Sequence, residues 1–290
     1  MSPIETLERA YSKHLKEKAS VMREHLEEVG YGHLCTEIIP SPLKDGFRNR
    51  AKFKIYARKG SVELKGTGPV QGDVFFEDVL WILPEWGRML VVHIAEILTS
   101  MLLEFPVYGF EIQLTHGREE AHTLLSVKRT QSLDYSELSS TLRTEILELK
   151  GVAIPSQKAE FGQSFLNHNI LDTDIRAHYD AFFQSNICLT TDLVKEVRAS
   201  CPLSLSTMLD LYCGVGLFSL LSGNKKRKIK GVDSNTKAIE SARMNAARLG
   251  LEGASYVCLP VQEYFQEYDV ESPNIVLVDP PRSGLSLIHI

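Results

Sequence analysis

The sequence predicts an α/β protein whose C-terminal part is an incomplete doubly wound sheet, preceded by an α+β region. Three observations carry this: strict strand–helix alternation from about residue 205, a glycine-rich turn after the first of those strands, and Asp279-Pro280-Pro281 after the last. Short apolar strands alternating with helices build parallel sheets, and ligands then sit outside the strands' carboxyl ends.

The elements follow in order. Residues 4 to 29 place Ile4, Leu7, Tyr11, Leu15, Met22, Leu26 and Val29 on one face of an amphipathic packing helix that ends near Gly30. From about 35 to 160, strand alternation mixes with helical periodicity: Ala51–Tyr56, Ser61–Leu64, Glu111–Thr115 and Thr123–Val127 read as strands, Met89–Leu103 and Ser136–Leu149 as helices. Then Thr207–Tyr212 reads as an apolar strand, and Gly214–Leu221 opens a helix. Ile229–Val232 is the next strand, Lys237–Leu249 a helix, Ser255–Leu259 a third strand and Asn274–Val278 a fourth. The expected domains are an N-terminal helix over 1–34, an α+β domain over 35–170 and the parallel-sheet domain over 171–290.

Composition narrows the function. A 290-residue chain with 43% hydrophobic residues has room for two cores and is not disordered by composition. No run reaches the roughly 18 apolar residues of a membrane span, and Met1-Ser2-Pro3-Ile4-Glu5 lacks the features of a signal peptide, so a cytoplasmic or nuclear protein is expected. Five scattered cysteines without a Cys-x-x-Cys pair argue against a zinc ribbon or disulfide framework, and the histidines show no metal-ligand spacing, so no metal is expected. A net charge of -5 means that nucleic-acid binding must rest on a local basic patch.

The glycine turn, Tyr212-Cys213-Gly214-Val215-Gly216-Leu217, lets the backbone approach a ligand closely. A dinucleotide fingerprint would have a third glycine where Ser219 stands, which disfavours NAD. Asp233 ends the second strand, where an acid can bond the ribose of an adenosine cofactor; its alternative role is to cap the next helix. In Phe47-Arg48-Asn49-Arg50-Ala51-Lys52-Phe53-Lys54, cations take every second position, so on a strand Arg48, Arg50, Lys52 and Lys54 share a face. Like charges so close suit RNA phosphates, or else a solvated sheet face.

Phe183-Gln184-Ser185-Asn186, the glycine turn with Asp210-Leu211 before it, and Asp279-Pro280-Pro281-Arg282-Ser283-Gly284 together resemble the RNA uracil-5-methyltransferase family, most closely its tRNA (uracil-5-)-methyltransferases, over about residues 38 to 285. The resemblance implies a Rossmann-like methyltransferase sheet behind an RNA-binding domain and S-adenosyl-L-methionine as cofactor. It implies that Gln184, Tyr212, Gly214, Gly216, Asp233 and Asp279 line the cofactor site, with Pro280 and Arg282 at the target base. Leu217 stands where many members have Asn, which removes one side-chain contact to the cofactor. The extra RNA-binding barrel and the four-cysteine cluster of ribosomal members are not evident in the sequence, which favours tRNA.

In the family a cysteine thiolate adds to carbon 6 of uracil, carbon 5 takes the methyl group, and a base removes the carbon-5 proton. That cysteine and its glutamate base follow the Asp-Pro-Pro-Arg motif, so no catalytic residue is expected within these 290 residues, and the chain is expected to be an inactive fragment. Cys213 and Cys188 are poor substitutes. Ser286–Ile290 fits no continuation of the family and reads as a foreign tail, and a sheet halted at its fourth strand would leave an unpaired edge. The rival from another class is a catalytically silent RNA-binding or chaperone protein; a NAD-dependent oxidoreductase comes third.

Overall fold

The computed structural model describes residues 3–34, 38–58, 61–67, 73–104, 109–117, 120–127, 134–268, 272–281 and 284. Met1–Asp45 and Gly46–Ile290 form two compact units. The first holds helix α1 (Pro3–Glu28), in which Tyr11 and Leu15 are half-buried while Met22 and Val29 stand 54% and 64% exposed, so the C-terminal part of the expected apolar face is not covered. The Tyr11 hydroxyl accepts the Ser41 N–H at 2.8 Å.

The second unit begins with a seven-stranded sheet. Its strands are β1 (Arg50–Arg58), β2 (Ser61–Thr67), β3 (Asp73–Val74), β4 (Phe110–His116), β5 (Ala121–Val127), β6 (Leu149–Ile154) and β7 (Ala159–Gly162), in the order β3-β2-β1-β4-β5-β6-β7. β1 shows the cause: Ala51, Phe53 and Ile55 are buried at every second position, and Lys52 and Lys54 turn to the other face. Helices α2 (Phe76–Trp81), α3 (Glu85–Glu104) and α4 (Tyr135–Glu145) accompany the sheet. Leu90, Val91, Ile94 and Leu98 of α3 recur at helical spacing and join Phe53, Ile55, Ile112 and Leu114 in one core. The α4 helix starts where the Asp134 side chain accepts the Ser136 and Glu137 N–H groups. It stops at Glu145, short of the expected Leu149, because Leu149 onward pairs in parallel with β5. Ile146 and Leu149 suit either period, and sheet pairing decides.

A hairpin, β8 (Phe165–Ile170) and β9 (Thr173–His178), and helix α5 (Ile187–Ala199), capped by Asn186, lead into the parallel sheet. This has β10 (Thr207–Leu211), β11 (Lys228–Asp233), β12 (Ala254–Cys258) and β13 (Ile275–Val278) in the order β12-β11-β10-β13, interleaved with α6 (Leu217–Leu220), α7 (Thr236–Arg248) and α8 (Val261–Glu267). The α6 helix is only four residues, because the expected start of that helix is spent in a turn with Tyr212, Gly214 and Gly216 at positive φ. The chain leaves β10 toward β11 on one side and returns to β13 on the other, so a topological switch point falls between β10 and β13.

Candidate active site

The carboxyl ends of β10 and β13 open on a cleft lined by Phe182, Phe183, Gln184, Tyr212, Gly214, Leu217 and Asp279, among others. Four of the predicted cofactor residues, Gln184, Tyr212, Gly214 and Asp279, therefore share one cavity. Gln184 Nε2 approaches Asp279 Oδ2 at 3.5 Å, and the Asp279 N–H donates to the Leu211 carbonyl at 3.4 Å. Gly216, at φ 79°, begins α6, and a Cβ there would meet Leu220 and the Tyr256 hydroxyl. Gly214, at φ 54°, has only open space where a Cβ would project, so its backbone is bare toward the cleft.

Asp233 is not the cap of α7: Asn235 fills that role by accepting the Ala238 N–H at 2.9 Å. Asp233 instead ties the turn to the second strand. One carboxylate oxygen accepts the Gly214 N–H at 2.9 Å and the other the Asn235 N–H at 2.8 Å, which leaves further lone pairs on both. Leu217, at the position of the family's Asn, packs with Val215 and Ala238 in the core and contributes an apolar wall.

Beneath the turn lies Asp210, 1% exposed, with Oδ2 unpartnered among the described residues. Burial pushes its carboxyl up to about 7, Ser219 hydrogen bonding opposes this, and Asp279 and Asp233 reinforce it. Burial also raises Asp279. Cys213 is buried, and desolvation with Asp210 and Asp233 nearby holds its thiol protonated. Asp210 and Phe183 belong to the sequence motifs, but no role at the cleft attaches to them there; the signal for Asp210 is an acid inside the apolar run Thr-Met-Leu-Asp-Leu, and Phe182 stands outside the motifs.

The basic stripe divides. Lys52 is exposed opposite Gln113, and Lys54 lies between Glu111 and Lys65 in the cross-strand register. Arg48 precedes β1, forms an isolated bridge with Asn186 and holds its guanidinium 6.0 Å from the Phe47 ring. Arg50 corrects the expectation of four cations facing RNA, because its guanidinium is turned into the protein. Nε donates to Thr115 Oγ1 at 3.2 Å, and Nη2 to the carbonyls of Tyr179 and Ala181 at 3.3 and 3.0 Å. Desolvation lowers its pKa, with Asp180 opposing. Pro280 follows β13 and is half-buried. Arg282 and the tail from Ser286 lie outside the described residues. Among the described residues no group of three His, Cys, Asp or Glu side chains could hold a metal, and no helix is long and apolar enough to cross a membrane.

A glycine turn, a second-strand acid and an aromatic-walled cleft at a switch point define an α/β protein built to receive a nucleoside-bearing ligand. The model of the tRNA (Uracil-5-)-methyltransferase family matches residues 10–288, and the chain belongs to that family. An uncharacterized RNA methyltransferase of Nanoarchaeum equitans is 28% identical over 277 residues, covering 86% of this chain and 58% of the relative. The 23S rRNA (uracil(747)-C(5))-methyltransferase of Xenorhabdus nematophila is 24% identical, covering 96% of this chain and 79% of its own length. The crystal structure of Pyrococcus abyssi tRNA (uracil-54, C5)-methyltransferase in complex with S-adenosyl-L-homocysteine shares the fold at TM-score 0.69 and 23% identity, covering 96% of this chain and 69% of that one. The chain thus spans less than two thirds of the Nanoarchaeum relative.

Proposed function

We propose that this chain binds S-adenosyl-L-methionine and RNA in a methyltransferase that acts on carbon 5 of uracil, with tRNA as the substrate. The observation that carries the reading is the convergence of Gln184, Tyr212, Gly214 and Asp279 on one cleft, with Asp233 bonded to the Gly214 N–H. The residues fit the cofactor: open space beside Gly214 where a side chain would project, spare carboxylate lone pairs on Asp233 for ribose hydroxyls, and apolar and aromatic walls for adenine. S-adenosylmethionine, when bound, supplies an electrophilic methyl group. Gln184 and Asp279 orient polar groups at the cleft, and Pro280 borders the place of the target base. Lys52, Lys54 and Arg48 attract the phosphate backbone.

Cys213 does not serve as the nucleophile, because burial holds it as a thiol. The family's tRNA (uracil-5-)-methyltransferase activity and the tRNA substrate of the Pyrococcus protein favour tRNA, whereas the Xenorhabdus relative acts on 23S rRNA, which keeps ribosomal RNA as the second reading.

The test is to incubate the full-length protein with methyl-labelled S-adenosylmethionine and either unmodified tRNA or a 23S rRNA hairpin. Label at uracil carbon 5 of tRNA is the expected result. Label only in the rRNA moves the substrate, and RNA binding without label in either supports the silent RNA-binding protein.

A further inference from the structure

The first strand of the seven-stranded sheet is stitched to the segment that enters the cleft. The Asn49 N–H donates to the Ser185 carbonyl at 3.1 Å, its side-chain amide to the Gln184 carbonyl at 3.4 Å, and the Ile187 N–H to the Phe47 carbonyl at 3.2 Å. Arg50, one residue on, holds the Tyr179 and Ala181 carbonyls through Nη2 and Thr115 Oγ1 through Nε. Phe182, Phe183 and Gln184 follow immediately and line the cleft. From the hairpin side, the His168 ring stacks on Phe183 at 3.9 Å and 13° between planes.

We infer that Arg50 is a positioning residue for the cofactor cleft: its guanidinium ties the Tyr179–Ala181 turn to β1 and so fixes where Phe182, Phe183 and Gln184 enter. A buried cation is tolerated only where its donors are met, and here the acceptors lie on β4 and on the turn, so one planar group sets the spacing of two chain segments. An ammonium on a lysine stem cannot reproduce that fork. With Nε committed to the Thr115 hydroxyl and Nη2 to the two carbonyls, Arg50 acts on the cleft rather than on the salt dependence of RNA binding. The cofactor arm of the test rests on the function proposed above; the backbone arm does not.

The experiment compares Arg50→Met, Arg50→Lys and Lys52→Gln in the 290-residue chain. It reads amide hydrogen exchange over residues 179–187 without ligand, affinity for S-adenosylhomocysteine, and the salt dependence of tRNA affinity. Arg50→Met is expected to raise exchange at the Ala181 and Ile187 amides and to weaken S-adenosylhomocysteine by about tenfold, the scale of one or two lost hydrogen bonds, with the salt slope unchanged. Lys52→Gln is expected to do the reverse: lower slope, unchanged exchange. Unaltered exchange in Arg50→Met, or a fall in slope equal to that of Lys52→Gln, overturns the inference. If Arg50→Met does not fold, Arg50→Lys decides, since exchange must still rise when the Thr115 contact is lost. Failure of the wild-type chain to bind S-adenosylhomocysteine would defeat the proposed function, while the exchange data would still judge Arg50.

Discussion

The seven-stranded side of the second unit and its hairpin bury four histidines, whereas the parallel sheet buries a carboxyl group, Asp210. Around β4, β5 and the β8–β9 hairpin, His116, His122, His168 and His178 are all below 4% exposed. His122 stacks on Tyr179 at 3.8 Å, and burial holds His122 and His168 at about 3, each with a ring nitrogen that has no partner among the described residues. In the parallel sheet the buried carboxyl group is Asp210, 1% exposed and raised to about 7. Both regions are apolar cores that keep ionisable groups neutral, but they do so from opposite sides of neutrality. One half supports the cleft and the other forms it, so the two should answer pH, packing and ligand differently.

The largest effects are expected from closing the space that these groups use. A Cβ on Gly151 of β6 would meet the His122 ring and the Gln163 carbonyl, and one on Gly231 of β11 would meet the buried Tyr256 ring and Cys213 Sγ at 3.0 Å. Gly151→Ala and Gly231→Ala should each cost about 3 kcal/mol in denaturant unfolding, at the upper end of overpacking. The comparison sharpens if Gly231→Ala also weakens S-adenosylhomocysteine, through the Tyr256–Ser219 contact at 3.3 Å, while Gly151→Ala affects stability alone. Equal losses of binding in both would break it.

The next effects concern pH. The histidines have folded pKa values below the unfolded 6.5, so their stabilising contribution is complete above pH 6.5 and is lost as pH falls toward 3. Asp210 has a folded pKa above the unfolded 3.8, so its contribution is complete below 3.8 and is lost as pH rises through about 7. Asp210→Asn should therefore gain on the order of 2 kcal/mol relative to wild type between pH 5 and pH 8, and His168→Leu should gain relative to wild type when pH is lowered from 7.5 to 5. Thermal unfolding across that range measures both. Parallel pH profiles in the two variants would remove the contrast between the halves.

The smallest effect belongs to the lysines of β1. Replacing Lys52 and Lys54 with Gln should lower the salt slope of tRNA affinity by about 0.7 to 0.9 per lost phosphate contact, with cofactor affinity unchanged. An unchanged slope would make the stripe a solvated face.

The parallel sheet was legible because strands buried on both sides read as apolar runs and the glycine turn marks the first crossover. The cleft was legible where its residues sit next to those runs, at Tyr212, Gly214 and Asp279, and at Gln184 through its motif. Residues 149–178 were not, since β7 and β8 are short and partly polar and draw their order from distant partners. Arg50 shows the limit most clearly. Alternation placed it on the right face of β1, but its partners are backbone carbonyls 129 and 131 residues away, which no residue type announces. Asp210 was open to detection, because an acid within a buried run demands an explanation.

The central claim is that the cleft beside Asp233 receives S-adenosylmethionine. Calorimetry of S-adenosylmethionine and NAD against the wild-type chain and Asp233→Ala tests it most directly. One S-adenosylmethionine per chain is expected, weakened by about 1 to 3 kcal/mol in Asp233→Ala, the cost of leaving polar partners unmatched. Equal affinity in the variant, or a preference for NAD, would contradict the account.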